Sequence, residues 1–162
     1  MKPISQEIVE KTWQEMSNLQ DMEAVLLMSK MDRDQPGVLA YLMAAGDDLL
    51  NQDERELLLY LGTVVWQIML QGTRSLRRVT IPQLESAENA NFSTLDDLSG
   101  ESPGDLIAAV EEMISSYNQP EVLKYVVEAL MEEDDEEIDI TEDSKGLMLI
   151  YLKTVIDCFD AA

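Results

Sequence analysis

The stretch Gln35-Pro36-Gly37-Val38-Leu39-Ala40-Tyr41-Leu42 returns 84 positions later as Gln119-Pro120-Glu121-Val122-Leu123-Lys124-Tyr125-Val126. Across residues 35–45 and 119–129, six of eleven positions are identical: the glutamine, proline, valine, leucine and tyrosine, and Ala45 with Ala129. A second island keeps the same order. Leu58-Leu59-Tyr60-Leu61-Gly62-Thr63-Val64-Val65 aligns with Leu149-Ile150-Tyr151-Leu152-Lys153-Thr154-Val155-Ile156 at an offset of 91. The seven additional residues fall in the acidic stretch 131–146, where a loop absorbs length without disturbing a core. Two ordered islands, each with matched Tyr or Pro, argue for internal duplication rather than chance likeness between leucine-rich helices.

Each copy reads as helical. A polar residue followed by Pro36 or Pro120 marks a helix start, because the first turn has no use for the proline's missing N–H. Val38, Leu39, Leu42 and Met43 then recur at helical spacing, as do Val122, Leu123, Val126 and Val127. Tyr41 and Tyr125 edge that stripe and read as core tyrosines whose hydroxyls reach a polar rim.

Working outward, residues 5–17 predict a first helix capped by Ser5, with Trp13 as a core anchor and no counterpart in the second copy. A helix from about Leu19 to Met31 follows, its Met22, Val25, Leu26 and Met28 expected to face inward. The third runs from Pro36 and breaks near Gly46. The fourth, from Asn51 or Asp53 to about Gly72, is apolar almost all round between Leu57 and Leu70, which suits a bundle centre or an oligomer interface. Arg74, Arg77 and Arg78 then meet the C-terminal dipole and nearby acids. Residues 79–104 are polar and loop-like. The second copy starts at Ser102-Pro103, places Leu106, Val110, Met113 and Tyr117 on one stripe, and ends in a helix from Ser144 to Phe159. Asp157 and Cys158 there replace Trp66 and Gln67, so the copies diverge at that end.

The expected fold is therefore all-α, with about seven helices in one domain. It comprises a three-helix unit at about 19–75, a linker at about 79–104, a second unit at about 105–160 and an extra N-terminal helix. A bundle and a short helical-repeat array both fit.

Composition narrows function. The 162 residues include no histidine and one cysteine, Cys158. Histidine-based acid–base catalysis, Ser-His-Asp triads and Cys-His zinc sites are excluded for the chain alone, and an internal disulfide with them. No GxxxxGK[ST] or GxGxxG phosphate cradle occurs. The sequence names no catalytic residue, cofactor or metal ligand. No apolar run reaches membrane-span length and the first ten residues lack a secretion signal, so the expected location is cytoplasmic.

The net charge of −22 is unevenly spread. Residues 1–81 hold 8 basic and 12 acidic residues, net −4, whereas residues 82–162 hold 3 and 21, net −18. Such a field repels nucleic acid and acidic membranes and favours basic partners. The densest acid is Glu132-Glu133-Asp134-Asp135-Glu136-Glu137, with Asp139 close behind. An EF-hand frame started at Asp135 fails, with Ile140 in place of the turn glycine and Gly146 in place of the bidentate glutamate. These seven residues are instead candidate contacts for a basic protein. The sequence thus points to a non-enzymatic interaction module or adaptor. Its alternatives are a self-associating helical protein, possible as a homodimer, and a nucleic-acid mimic that inhibits a DNA- or RNA-binding protein.

Overall fold

Two long helices form the centre, α4 (Gln52–Gln71) and α8 (Glu142–Ala161), and the others pack around them. A computed structural model describes residues 1–73, 75–98, 103–132 and 139–161. The described residues are all-helical, adding α1 (Gln6–Ser17), α2 (Asp21–Asp34), α3 (Pro36–Ala44), α5 (Ile81–Leu98), α6 (Pro103–Ser116) and α7 (Pro120–Met131). No helix among them is long and apolar enough to cross a membrane.

The centre forms where the sequence is most apolar. Leu58, Leu61, Val64, Val65, Trp66, Ile68 and Met69 of α4 meet Met148, Leu152, Val155, Ile156 and Phe159 of α8, all buried. Each such side chain is worth at most about 1.5–3 kcal/mol removed from water. Most of the Leu57–Leu70 segment is thereby taken up by the bundle interior, with Tyr60 left exposed. Gly62 is fitted to the contact of α4 with α3: an added Cβ would lie 2.4 Å from Leu42 Cδ1.

Local signals set the ends. The Ser5 hydroxyl accepts from the Ile8 amide at 3.3 Å and starts α1. Asn51 and Glu54 form a reciprocal capping box on α4, each side chain accepting the other's backbone N–H at 2.9 Å. α3 ends before Gly46, whose φ of 65° suits a residue without Cβ. Arg78 Nη2 donates to the Arg33 carbonyl at 2.8 Å and so meets the C-terminus of α2, not that of α4, the helix it follows.

Three expectations need correction. Residues 79–104 are not simply a loop: they contain α5, an eighth helix. Its start is a second capping box, with the Gln83 amide donating to Thr80 Oγ1 at 3.3 Å and the Thr80 amide to Gln83 Oε1 at 2.8 Å. Of its polar residues Glu85, Ser86, Asn89, Ser93 and Thr94 are exposed, whereas Asn91 is buried, as is Leu84. Trp13 is 36% exposed, and the buried face of α1 is Val9, Thr12 and Met16. The largest departure is α2. Met22, Val25 and Leu26 are 71%, 61% and 63% exposed, and Met31 is the helix's one buried residue. Periodicity identified an apolar stripe correctly but could not say that α2 packs mainly on α3 and turns that stripe outward.

α1 and α5 occupy matching places. Each follows an extended segment, each packs on a central helix, and each touches a Pro-initiated helix of the other half: α1 on α4 and α7, α5 on α8 and α3. Buried Gln35 and Gln119 hold the two extended segments.

Candidate interaction surface

Of the acidic residues singled out in the sequence, Glu132 lies at the end of α7 and Asp139 beside the start of α4. Glu133, Asp134, Asp135, Glu136 and Glu137 lie outside the described residues. Glu132 and Asp139, on either side of them, are exposed. Asp139 is fixed by its backbone: its amide donates to Asp53 Oδ2 at 3.2 Å and its carbonyl accepts from Asn51 Nδ2 at 3.0 Å. Two residues on, the Thr141 amide and hydroxyl both donate to Glu54 Oε2, at 3.0 and 3.3 Å. Glu54 therefore caps α4 with one oxygen and holds the chain entering α8 with the other. Burial pushes the Glu54 carboxyl up, but hydrogen bonds from Ser144, Asn51 and Thr141 outweigh it and hold the group below its ordinary range.

α7 adds residues that composition alone does not single out. Glu128 and Glu132 are four apart and exposed, and Met131 between them is 63% exposed. Tyr125 lies behind them. Its hydroxyl is held protonated first by burial and then by its neighbours Tyr60 and Glu132, and Tyr60 is itself exposed at this edge. An apolar and aromatic anchor set among carboxylates suits the stem and charge of a lysine or arginine. A sequence signal for it existed in the i, i+4 pair Glu128/Glu132 on the polar side of α7.

The few cations of this half do not offset its acids. Lys153 is half-buried and committed internally, donating to Asn91 Oδ1 at 2.7 Å and Asp157 Oδ2 at 2.9 Å and lying 5.1 Å over the Tyr117 ring. Asn91 Nδ2 donates to Thr154 Oγ1 and to Asp157 Oδ2, both at 3.0 Å, and the Tyr117 hydroxyl donates to Asp157 Oδ1. Asp157, where the two halves diverge, thus joins Asn91, Lys153 and Tyr117 in one internal polar cluster. Tyr117 is held protonated, first by burial and then by Asp157. Lys145 is half-buried, leaving Lys124 as the exposed lysine of this half. Among the described residues no group of three or more His, Cys, Asp or Glu is placed to share a metal ion.

Against known proteins the outcome is brief. No family model, no curated protein and no solved structure matches this chain. Its fold and surface chemistry are what bear on its function.

The other half carries a different feature. Beside the outward stripe of α2 runs a furrow of about 390 Å³ between α1, α2 and α4, with Leu26, Leu27, Glu23, Lys30 and Gln67 among its lining. Lys30 makes no ion pair among the described residues, and its ammonium lies 5.9 Å from the Trp66 ring centroid. Gln67 Nε2 and Trp66 Nε1 are buried with no acceptor among the described residues.

Proposed function

We propose that this is a non-enzymatic interaction module for a basic protein partner, with the α7–α8 edge as its docking surface. One observation carries the reading: acids face outward while the cations of the same half are mostly withdrawn. Glu111, Glu112, Glu128, Glu132, Asp139 and Asp143 are exposed, whereas Lys145 and Lys153 are half-buried. Met131 and Tyr60 provide the apolar centre that an electrostatic surface needs for lasting contact, since charge mainly accelerates and selects encounters. The two halves are proposed as copies of one four-helix unit, α1–α4 and α5–α8, with Gln35 and Gln119 at equivalent points. In this reading the second copy has become the docking half.

Capture on the tagged protein from a native lysate, washed across a salt series, tests the proposal. A stoichiometric basic protein is expected, released as salt rises and lost from the double charge reversal Glu128→Lys/Glu132→Lys. A partner held equally at all salt concentrations and by the reversed protein would sink it.

A further inference from the structure

We propose that the furrow-facing flank of α2, formed by Glu23, Leu26, Leu27 and Lys30, is a self-docking surface: a second copy lays its own α2 antiparallel along it, across a two-fold axis between Leu26 and Leu27. This does not depend on the acidic edge. Three observations commit the face to that occupant.

The first is self-complementary charge. Glu23 and Lys30 both line the furrow and are seven residues apart, so they lie two turns apart on one side of α2, about 10 Å along it. A two-fold contact pairs residue i with j and j with i. Antiparallel pairing about the 26/27 midpoint brings each Glu23 to the other copy's Lys30 and sets Leu26 against the other Leu27. One oxygen of Glu23 accepts the Gln20 amide at 3.3 Å, leaving the second available.

The second is the set of donors awaiting an acceptor. Among the described residues no carboxylate pairs with Lys30, and the Gln67 Nε2 of the furrow lining has no acceptor. A carboxylate arriving with an apolar helix meets that need, and Glu23 of a second copy is such a group.

The third is where the charge lies. Two chains of net −22 repel each other, but residues 1–81 carry only −4. Contact through α2 joins the nearly neutral halves and keeps the −18 halves apart, free for basic partners.

Sedimentation velocity across protein concentration and salt tests this. A dimer is expected that tightens when ionic strength rises from about 0.02 to about 0.5 M, as the overall repulsion is screened. Leu26→Asp removes it. Glu23→Lys and Lys30→Glu each weaken self-association at least about tenfold, since each sets like charges opposite one another. Mixed together, these two variants form a heterodimer, one presenting two lysines and the other two glutamates. Circular dichroism and melting of each variant separate lost docking from lost folding. A wild-type monomer at about 100 μM and high salt overturns the proposal. So does a dimer indifferent to Leu26→Asp, or a folded pair of charge variants that stay apart when mixed.

Discussion

Gln35 and Gln119 hold the backbone in the same way at two places far apart in the chain. Gln35 Oε1 accepts from the Val79 amide at 3.0 Å while its Nε2 donates to the Arg77 carbonyl at 2.9 Å. Gln119 Oε1 accepts from the Ile4 amide at 2.9 Å while its Nε2 donates to the Lys2 carbonyl at 3.0 Å. Each side-chain amide thus satisfies the donor and acceptor of an extended segment two residues apart, as a neighbouring strand would. Both glutamines have similar backbones, φ −137° and ψ 60° against φ −120° and ψ 67°, and both precede the proline that begins a helix. They fasten α5 to the first half and α1 to the second.

Replacing either glutamine by leucine keeps the volume and removes both bonds. Gln35→Leu leaves the Val79 amide and the Arg77 carbonyl without partners, at a cost of about 2–4 kcal/mol. Gln119→Leu is expected to cost as much, with the Gln119 contact to Asp160 also lost. Urea unfolding measures both; a loss below about 1 kcal/mol in each would show that these segments are held by something else.

Glu54 predicts an acid-sensitive component of stability. Its folded pKa lies below its unfolded value, so its contribution is complete above the unfolded pKa of about 4.3 and fades as pH falls through the folded value. Glu54→Gln should cost about 1–3 kcal/mol near neutral pH and flatten the acid limb of the stability profile. An acid limb identical to wild type would contradict the assignment.

Gly62→Ala sets two effects against each other. Alanine gains up to about 1 kcal/mol in helix propensity. The added methyl, however, would meet Leu42 Cδ1 at 2.4 Å and Cδ2 at 2.8 Å, and Leu42 is buried with little room to retreat. Overpacking costs about 1–3 kcal/mol, so net destabilisation is expected. Combining it with Leu42→Ala should recover part of the loss relative to the sum of the single changes, which a double-mutant cycle reads directly.

Cys158 is expected to be a sluggish nucleophile. Burial first and Asp157 second push its thiol up to about 11, and its Sγ donates to the Gln83 carbonyl at 3.6 Å. Near pH 8 the thiolate fraction is about a hundredfold below that of an ordinary cysteine. Native alkylation should be slow by a comparable factor and normal after unfolding. Rapid native labelling at neutral pH would contradict this environment.

The candidate site was partly legible. The concentration of acid in residues 82–162 follows from counting, and of the candidate contacts the structure describes Glu132 and Asp139, both exposed. What counting missed is that Met131 and Tyr60 reach the surface beside them, because the side of a helix that meets water depends on its neighbours. Helix α5 was legible in Thr80-Ile81-Pro82-Gln83, a capping box with a first-turn proline, but its polar composition obscured it.

The sequence by itself determined that the chain is helical, where most helices start and stop, and which long segment lies at the centre. Those properties follow from nearest-neighbour chemistry: caps, prolines, glycine and a 3.6-residue period act within a few residues. Only the tertiary structure decided that the apolar stripe of α2 faces outward, that Lys153 is held by Asn91 and Asp157, and that Gln35 and Gln119 grip segments far away in sequence. A helix's own pattern specifies an apolar face but not what will cover it. That choice belongs to the packing of all the helices together.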